Sequence, residues 1–378
     1  NDAKKPLIIA GNGIHLSGAS NALVQFVERT NIPVINTLHG TGGFPRSHRL
    51  AMGMLGMHGL FRNNIAVGNA DLILAIGMRF DDRVIGRPGS FAPNARIIHV
   101  EIEPEQIGRN VPTDIGLIGD AKSVLNNLMP YVDDPSRDEW IRELSDFQAE
   151  HPSPTVPDNE GLTPQFVLNV LNAHLHRQED PLVVTGVGQH QMWSAQFLEI
   201  EHPSSFITSG GLGVMGFEIP AAIGAQVGRP KAHVWSVAGD GGFQMTLQEL
   251  ATIAQEKLPI KFVIMNNGYH GMVRQWQELF YDNHYKSVSI PGPDYVKLAS
   301  AFGIQGEEVT QQESVQASFE RASNHKGPYV LDMRIVADEN VYPMVPPGAS
   351  LAETVEDPRI ATYSDPLTTK NSGTVSYP

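Results

Sequence analysis

Short apolar runs of strand length alternate along this chain with segments whose apolar residues recur at helical spacing. Residues 7–10 read as a buried strand, followed by the glycine turn Gly11-Asn12-Gly13 and a helix over 20–30. Further strands are expected at 32–37, 72–77, 96–102 and 115–120, with helices at 61–68 and 121–128. The second half opens on a helix over 163–175, whose Thr163-Pro164 start suits a cap and a first turn. Strands follow at 181–185, 232–238, 260–265 and 329–333, and helices at 221–227, 243–254, 295–302 and 314–323. This alternation predicts a doubly wound α/β architecture built from parallel sheets, with ligands at the strand ends.

A proline-rich run over 151–157 interrupts the pattern and reads as a stiff connector. The expected division is a Rossmann-like domain over 1–150, a linker over 151–162, a second α/β domain over 163–345 and a tail over 346–378. The tail is rich in Pro, Ser and Thr without periodicity, and reads as a strap or as disorder. Gly11-x-Gly13 by itself reads as a structural turn, because Gly18 comes too late for the dinucleotide fingerprint.

Composition narrows the function classes. With 41% hydrophobic and 18% charged residues in 378, the chain can build cores of ordinary size. A net charge of −14 argues against nucleic acid or an anionic membrane as the main partner, and no apolar run reaches the roughly twenty residues of a membrane span. Zero cysteines exclude disulfides and thiolate metal sites and fit a reducing, cytoplasmic setting of bacterial type. Residues 1–6 carry neither a signal h-region nor a transit pattern, and the first residue is Asn1, so a fragment or a processed product is expected.

The candidate chemistry lies at two neighbouring strand ends. Gly239-Asp240-Gly241-Gly242 follows one strand, and Asn266-Asn267 ends the next, 27 residues after Asp240 (267 − 240). In a parallel sheet these ends sit side by side, so Asp240 and Asn267 can offer hard oxygen ligands to Mg2+, which takes its remaining ligands from water and a diphosphate. The glycines are expected to let backbone approach that diphosphate. A lone Gly-Asp-Gly would be an ordinary turn. The pair at this separation matches the thiamine diphosphate signature.

Read outward from that pair, nearly the whole chain to about residue 347 resembles acetohydroxyacid synthase (acetolactate synthase), a flavin-containing family of thiamine diphosphate enzymes. The residues that carry the resemblance are 186–193 (GVGQHQMW), 210–217 (GGLGVMGF), 271–276 (GMVRQW) and 78–84 (MRFDDRV). It implies Mg2+ on Asp240, Asn267 and the Tyr269 carbonyl, with Gly239, Gly241 and Gly242 in the same turn. His190 and Gln191 would contact the diphosphate, and Met215, between Val214 and Gly216, would prop thiamine in its bent form. Met272, Val273 and Trp276 would wall the substrate pocket, the indole contacting the extra methyl of 2-ketobutyrate, and Arg83 would pair with the second ketoacid's carboxylate. Taken alone, His190 would be a structural histidine, Trp276 a packed helix residue and Arg83 a solvated partner of Asp81 or Asp82.

The first domain would hold FAD through Gly11, Gly13, Thr37, Leu38, Leu55, Gly56, Met57, His58, Gly77, Arg79, Asp81, Glu101, Ile102, Gly119 and Asp120. The implied reaction is decarboxylation of pyruvate and condensation with pyruvate or 2-ketobutyrate, leading to branched-chain amino acids. A homodimer or homotetramer and a small regulatory subunit are the implied partners. The family's glutamate-bearing first domain has no counterpart here, so the chain alone is expected to be inactive. The alternatives are a pyruvate oxidase or another thiamine diphosphate decarboxylase, and a non-catalytic cofactor-binding module. A nicotinamide dehydrogenase fails on the paired strand-end motif.

Overall fold

The computed structural model describes residues 1–133, 135–153, 156 and 161–359. Two sheets of six parallel strands organise them. The first contains β1 (Pro6–Ala10), β2 (Val34–Asn36), β3 (Ala51–Met54), β4 (Leu72–Ile76), β5 (Arg96–Glu101) and β6 (Ile115–Ile118), in the order β3-β2-β1-β4-β5-β6. The second contains β7 (Pro181–Thr185), β8 (Phe206–Thr208), β9 (His233–Gly239), β10 (Lys261–Asn266), β11 (Gln305–Val309) and β12 (Tyr329–Arg334), in the order β11-β12-β10-β9-β7-β8. The doubly wound α/β architecture read from the sequence is the one observed.

Side chains along a strand alternate between faces, and a parallel sheet buries both. In β1, Leu7 and Ile9 join one core, which also takes Ile73 and Ala75 of β4, while Ile8 and Ala10 join the opposite core with Leu74 and Ile76. The second sheet repeats this: Val183, Val237, Val263 and Leu331 face one layer, and Val184, Ala238, Ile264 and Val330 the other. That is why these strands are continuous apolar runs rather than alternating ones. The strand order reverses between β1 and β4, and again between β7 and β9. Each reversal leaves a crevice beyond the carboxyl ends of the strands.

Some elements depart from the expected pattern. The helix expected over 243–254 begins earlier, as Asp240–Met245, and breaks at Thr246, whose hydroxyl leaves the helix to donate to the Gly216 carbonyl at 2.9 Å. Leu247–Glu249 then forms a 3-10 turn before the helix Leu250–Glu256. Strands β3, β8 and β11 were not expected. The first two are four and three residues long, and β11 (QGEEV) is polar because it lies at the sheet edge. The polar helix Gln189–Phe197 likewise carries no clean apolar stripe, whereas Gly271–Phe280 spaces Met272, Val273, Trp276 and Phe280 along one face.

After β12 the chain returns to the first sheet. The Val345 N–H donates to the Met57 carbonyl at 2.7 Å, the Arg87 N–H donates to the Ala349 carbonyl at 2.9 Å, and Val345, Ala349 and Leu351 enter the first core. Up to residue 359, the tail is therefore a strap. Its remainder, 360–378, and linker residues 154, 155 and 157–160 lie outside the described residues. No described helix is long and apolar enough to cross a membrane.

Candidate active site

The second sheet ends in a small cavity of about 100 Å³ between β7, β9 and β10, walled by Gly188, His190, Met215, Asp240, Asn267, Tyr269, Met272 and Val273 among others. Asp240 is only 3% exposed. Its Oδ1 accepts from the Gly241 N–H at 2.8 Å and its Oδ2 from the Gly268 N–H at 2.7 Å, so the carboxylate ties the ends of β9 and β10 together. Burial pushes its pKa up to about 6; the two amide hydrogen bonds oppose this and the nearby Asp332 carboxylate adds to it. Across from it, Asn267 accepts the Tyr269 N–H at 3.1 Å and donates to Gln189 Oε1 at 3.4 Å. Asn266 turns away to Asp332, at 2.8 Å, so only the second asparagine of the pair faces the cavity.

His190 is 5% exposed, and burial holds it neutral with a pKa lowered to about 3. Its Nε2 is buried without a partner among the described residues. A neutral imidazole with a free Nε2–H is a donor awaiting an acceptor, and a phosphate oxygen suits it. The glycines of the turn do more than lend flexibility. A Cβ on Gly239 would lie 2.9 Å from His190 Nδ1, and one on Gly241 would lie 2.8 Å from Met215 Cε. A Cβ on Gly242 would run into the Glu218 carboxylate. The sequence suggested that these glycines admit a ligand's diphosphate. In the structure their space accommodates the chain's own side chains.

Not every expected residue reaches this cavity. Gln191 donates to Thr208 Oγ1 at 2.7 Å and to the Ser209 carbonyl at 3.3 Å, facing β8 instead. Val214 is half-exposed with its N–H on Ser209 Oγ, and Gly216 holds a left-handed turn at φ 88°. Trp276 lies beyond the cavity wall, edge-on to Phe280 with ring centroids 5.2 Å apart. Arg83 belongs to the first domain. Its guanidinium rests on Met57 Sδ at 3.2 Å and 3.9 Å from Asp82, as its solvated reading anticipated. Gln189 was not singled out from the sequence, yet it braces Asn267 and donates to Gln275 Oε1 at 2.9 Å and the Glu339 carbonyl at 3.0 Å. No periodicity marks such an amide network.

The first sheet carries a larger cavity, about 610 Å³, at the reversal between β1 and β4, within the usual range for a small-molecule or cofactor site. Gly13, Thr37, Gly77, Arg79, Asp81, Glu101, Ile102, Gly119 and Asp120 all line it. Its acids are partly engaged. Asp81 Oδ1 accepts from the Arg83 N–H, Asp120 Oδ1 from the Ser123 N–H at 3.0 Å and Glu101 Oε1 from the Ile102 N–H at 2.8 Å. Gly11 packs directly on the Gly77 carbonyl without reaching the cavity, and Leu38, Leu55, Gly56, Met57 and His58 also lie outside its wall. His58 is buried, its pKa lowered to about 4, and its carbonyl accepts Gln196 Nε2 at 2.9 Å. The reading missed His39 and Gln106 in this wall, and also Gly211, which comes from the second domain.

Comparison with known proteins agrees with this architecture. Residues 1–128 match the family described as thiamine pyrophosphate enzyme, central domain, and residues 186–333 match the thiamine pyrophosphate enzyme C-terminal TPP binding domain. The chain is 41% identical over 367 residues to a protein of Methanocaldococcus jannaschii described as a probable acetolactate synthase large subunit, covering 95% of this chain and 62% of that protein. It is 43% identical over 362 residues to an acetolactate synthase of Mycobacterium avium, covering 92% and 58%. It is 41% identical over 356 residues to the acetolactate synthase isozyme 2 large subunit of Escherichia coli K12, covering 94% and 64%. The chain thus spans less than two thirds of the length of these curated relatives. With a matched domain on each sheet and this identity along nearly its whole length, the chain belongs to the thiamine pyrophosphate enzymes, as a homologue of the acetolactate synthase large subunits.

Proposed function

We propose that this chain supplies the FAD-binding and thiamine diphosphate-binding domains of an acetolactate synthase, which condenses two pyruvates, or pyruvate and 2-ketobutyrate, with loss of CO2. The observation that carries this reading is the buried carboxylate of Asp240 facing Asn267, with the unpaired Nε2 of His190 in the same cavity. Asp240, the Asn267 carboxamide oxygen and the Tyr269 carbonyl form a hard-oxygen set suited to Mg2+, and His190 would donate to the diphosphate. Bound thiamine diphosphate supplies a carbanion equivalent at its thiazolium carbon. The chain's own residues anchor the charged end, and Met215 packs against the Gly241 turn to shape the cavity wall.

FAD is assigned to the first cavity by its volume, its place at the strand reversal and the acids on its rim. A small regulatory subunit and self-association into dimers or tetramers complete the proposed assembly, in the cytoplasm. Because the relatives extend well beyond this chain, turnover is proposed for the whole protein. The 378-residue chain alone should form no acetolactate, and mixing it with the segment that the relatives carry upstream should restore activity. Activity of the chain alone, or none in the mixture while both cofactors bind, would count against the reading.

Substrate preference offers a finer test. Met272 and Val273 line the cavity, and Trp276 follows them by four and three residues on the same face of the helix Gly271–Phe280. The indole therefore extends that wall outward. Contact with one extra methyl is worth about 1–3 kcal/mol, so Trp276→Leu should lower the preference for 2-ketobutyrate over pyruvate by roughly 10-fold or more in direct competition. An unchanged product ratio would remove Trp276 from the pocket.

A further inference from the structure

The two cavities share a segment. Gly211 stands in the wall of the first-domain cavity, and Met215, four residues on, stands in the wall of the second. The intervening residues are exposed, Leu212 at 93%, and no sheet or helix supports them. The segment is pinned at its ends. The Ser209 carbonyl accepts from Gln191 Nε2, and the Gly216 carbonyl accepts from Thr246 Oγ1.

The remaining tie crosses between domains. His39 lies in the 3-10 turn Leu38–Gly40 directly after β2, and its Nε2 accepts the Gly210 N–H at 3.1 Å. That turn is firmly seated: the Thr37 hydroxyl accepts from the Gly40 N–H, and Gly40 packs directly on the Ala10 carbonyl at the end of β1. His39 itself lines the first cavity. Its acceptor role requires an unprotonated Nε2, and burial with the nearby Arg79 guanidinium keeps the imidazole below its ordinary range.

We propose that segment 209–216 is a shared wall through which occupancy of the first-domain cavity sets the position of Met215, with His39 as the positioning residue that transmits it. The coupling is mechanical. A ligand that presses on His39 and Gly211 fixes the start of the segment, and only three residues separate Gly211 from Met215. On the reading that FAD occupies this cavity, bound flavin orders the second site before thiamine diphosphate arrives. The proposal rests on that assignment of the cavity.

The test is amide hydrogen exchange of residues 209–216 in the full chain, with and without saturating FAD, with binding followed separately by flavin fluorescence. Exchange across 210–215 should slow at least about fivefold on flavin binding, the lower end of ordinary coupling between sites. His39→Phe, which keeps a ring but has no acceptor, should abolish this protection, and His39→Gln, whose amide oxygen can accept, should retain it. Flavin binding with unchanged exchange in the wild type, or full protection in His39→Phe, overturns the coupling while leaving the cavity's assignment intact. No flavin binding in the wild type overturns both. If His39→Phe fails to take flavin, the flavin-free proteins decide: the Gly210 amide must exchange faster in the variant, and equal rates overturn the proposal.

Discussion

Replacing Asp240 with asparagine is expected to remove Mg2+-dependent binding of thiamine diphosphate while leaving the chain folded. Both carboxylate oxygens already hold backbone N–H groups, of Gly241 and Gly268, and the side chain lines a cavity of about 100 Å³. The amide keeps one of these acceptors and turns an NH2 toward the other donor, losing one hydrogen bond worth about 1 kcal/mol. It also removes a carboxylate that burial has pushed up to about 6, so the cation-free chain loses a repulsive burial and stays near its original stability. Cation binding has no such compensation. Loss of the one anionic ligand that the proposed protein set supplies should weaken the Mg2+–diphosphate complex at least about 100-fold, some 2.7 kcal/mol, read by calorimetric titration with a urea midpoint as the folding control. In the wild type a proton competes for the same oxygens. This proton should steepen the fall in affinity below about 6 by up to about tenfold per pH unit, and Asp240→Asn should retain only the shallower dependence that belongs to the diphosphate itself. Binding within threefold of wild type, with the midpoint unchanged, would displace Asp240 from the metal site.

How far the sequence could be read depended on which physical signal each residue leaves. Strands buried on both faces stand out plainly: β1 is apolar at every position, and β10 from Phe262 to Met265. The juxtaposition of Asp240 and Asn267 was also legible, because a parallel sheet brings adjacent strand ends together whatever the intervening helix does. Among the edge strands β6 was legible but β3, β8 and β11 were not: β11 pairs on one side only and so needs no apolar run. Side-chain bonds across the fold leave no trace in local pattern. Gln189 bracing Asn267 and His39 accepting from Gly210 join residues 78 and 171 positions apart. The diphosphate expectation for Gln191 failed to reach the cavity for the same reason, since its amide is spent on Thr208 and Ser209. Glu218 was concealed differently. An acid in the first turn of a helix reads as a solvated complement to the helix dipole, yet this one is 0% exposed.

Glu218→Gln is expected to stabilise the chain at alkaline pH and to leave it unchanged in acid. The side chain opens the helix Glu218–Gly228 and is wedged between Gly186, just past β7, and Gly242, where only glycine leaves it room. Neither carboxylate oxygen has a hydrogen-bond partner among the described residues. Burial accordingly raises its pKa from 4.5 to about 7. The folded chain then holds this proton more tightly than the unfolded chain does. Stability from this group is complete below about 4.5, falls as pH rises through the window to about 7, and is flat beyond it. A shift of this size corresponds to about 3 kcal/mol lost across the window. The amide resembles the protonated acid in shape and cannot ionise, so the variant should escape the loss. Urea unfolding of the second domain, followed from pH 4 to pH 8 without cofactors, should give matching stabilities at the acid end and a gap approaching about 3 kcal/mol at the other. A constant gap at every pH would mean that the carboxyl ionises at the same pH in the folded and the unfolded chain, and that its environment is more polar than its geometry indicates. An advantage confined to neutral and alkaline pH would show that the chain tolerates a buried acid beside the Gly239–Gly242 turn at a measurable cost in stability.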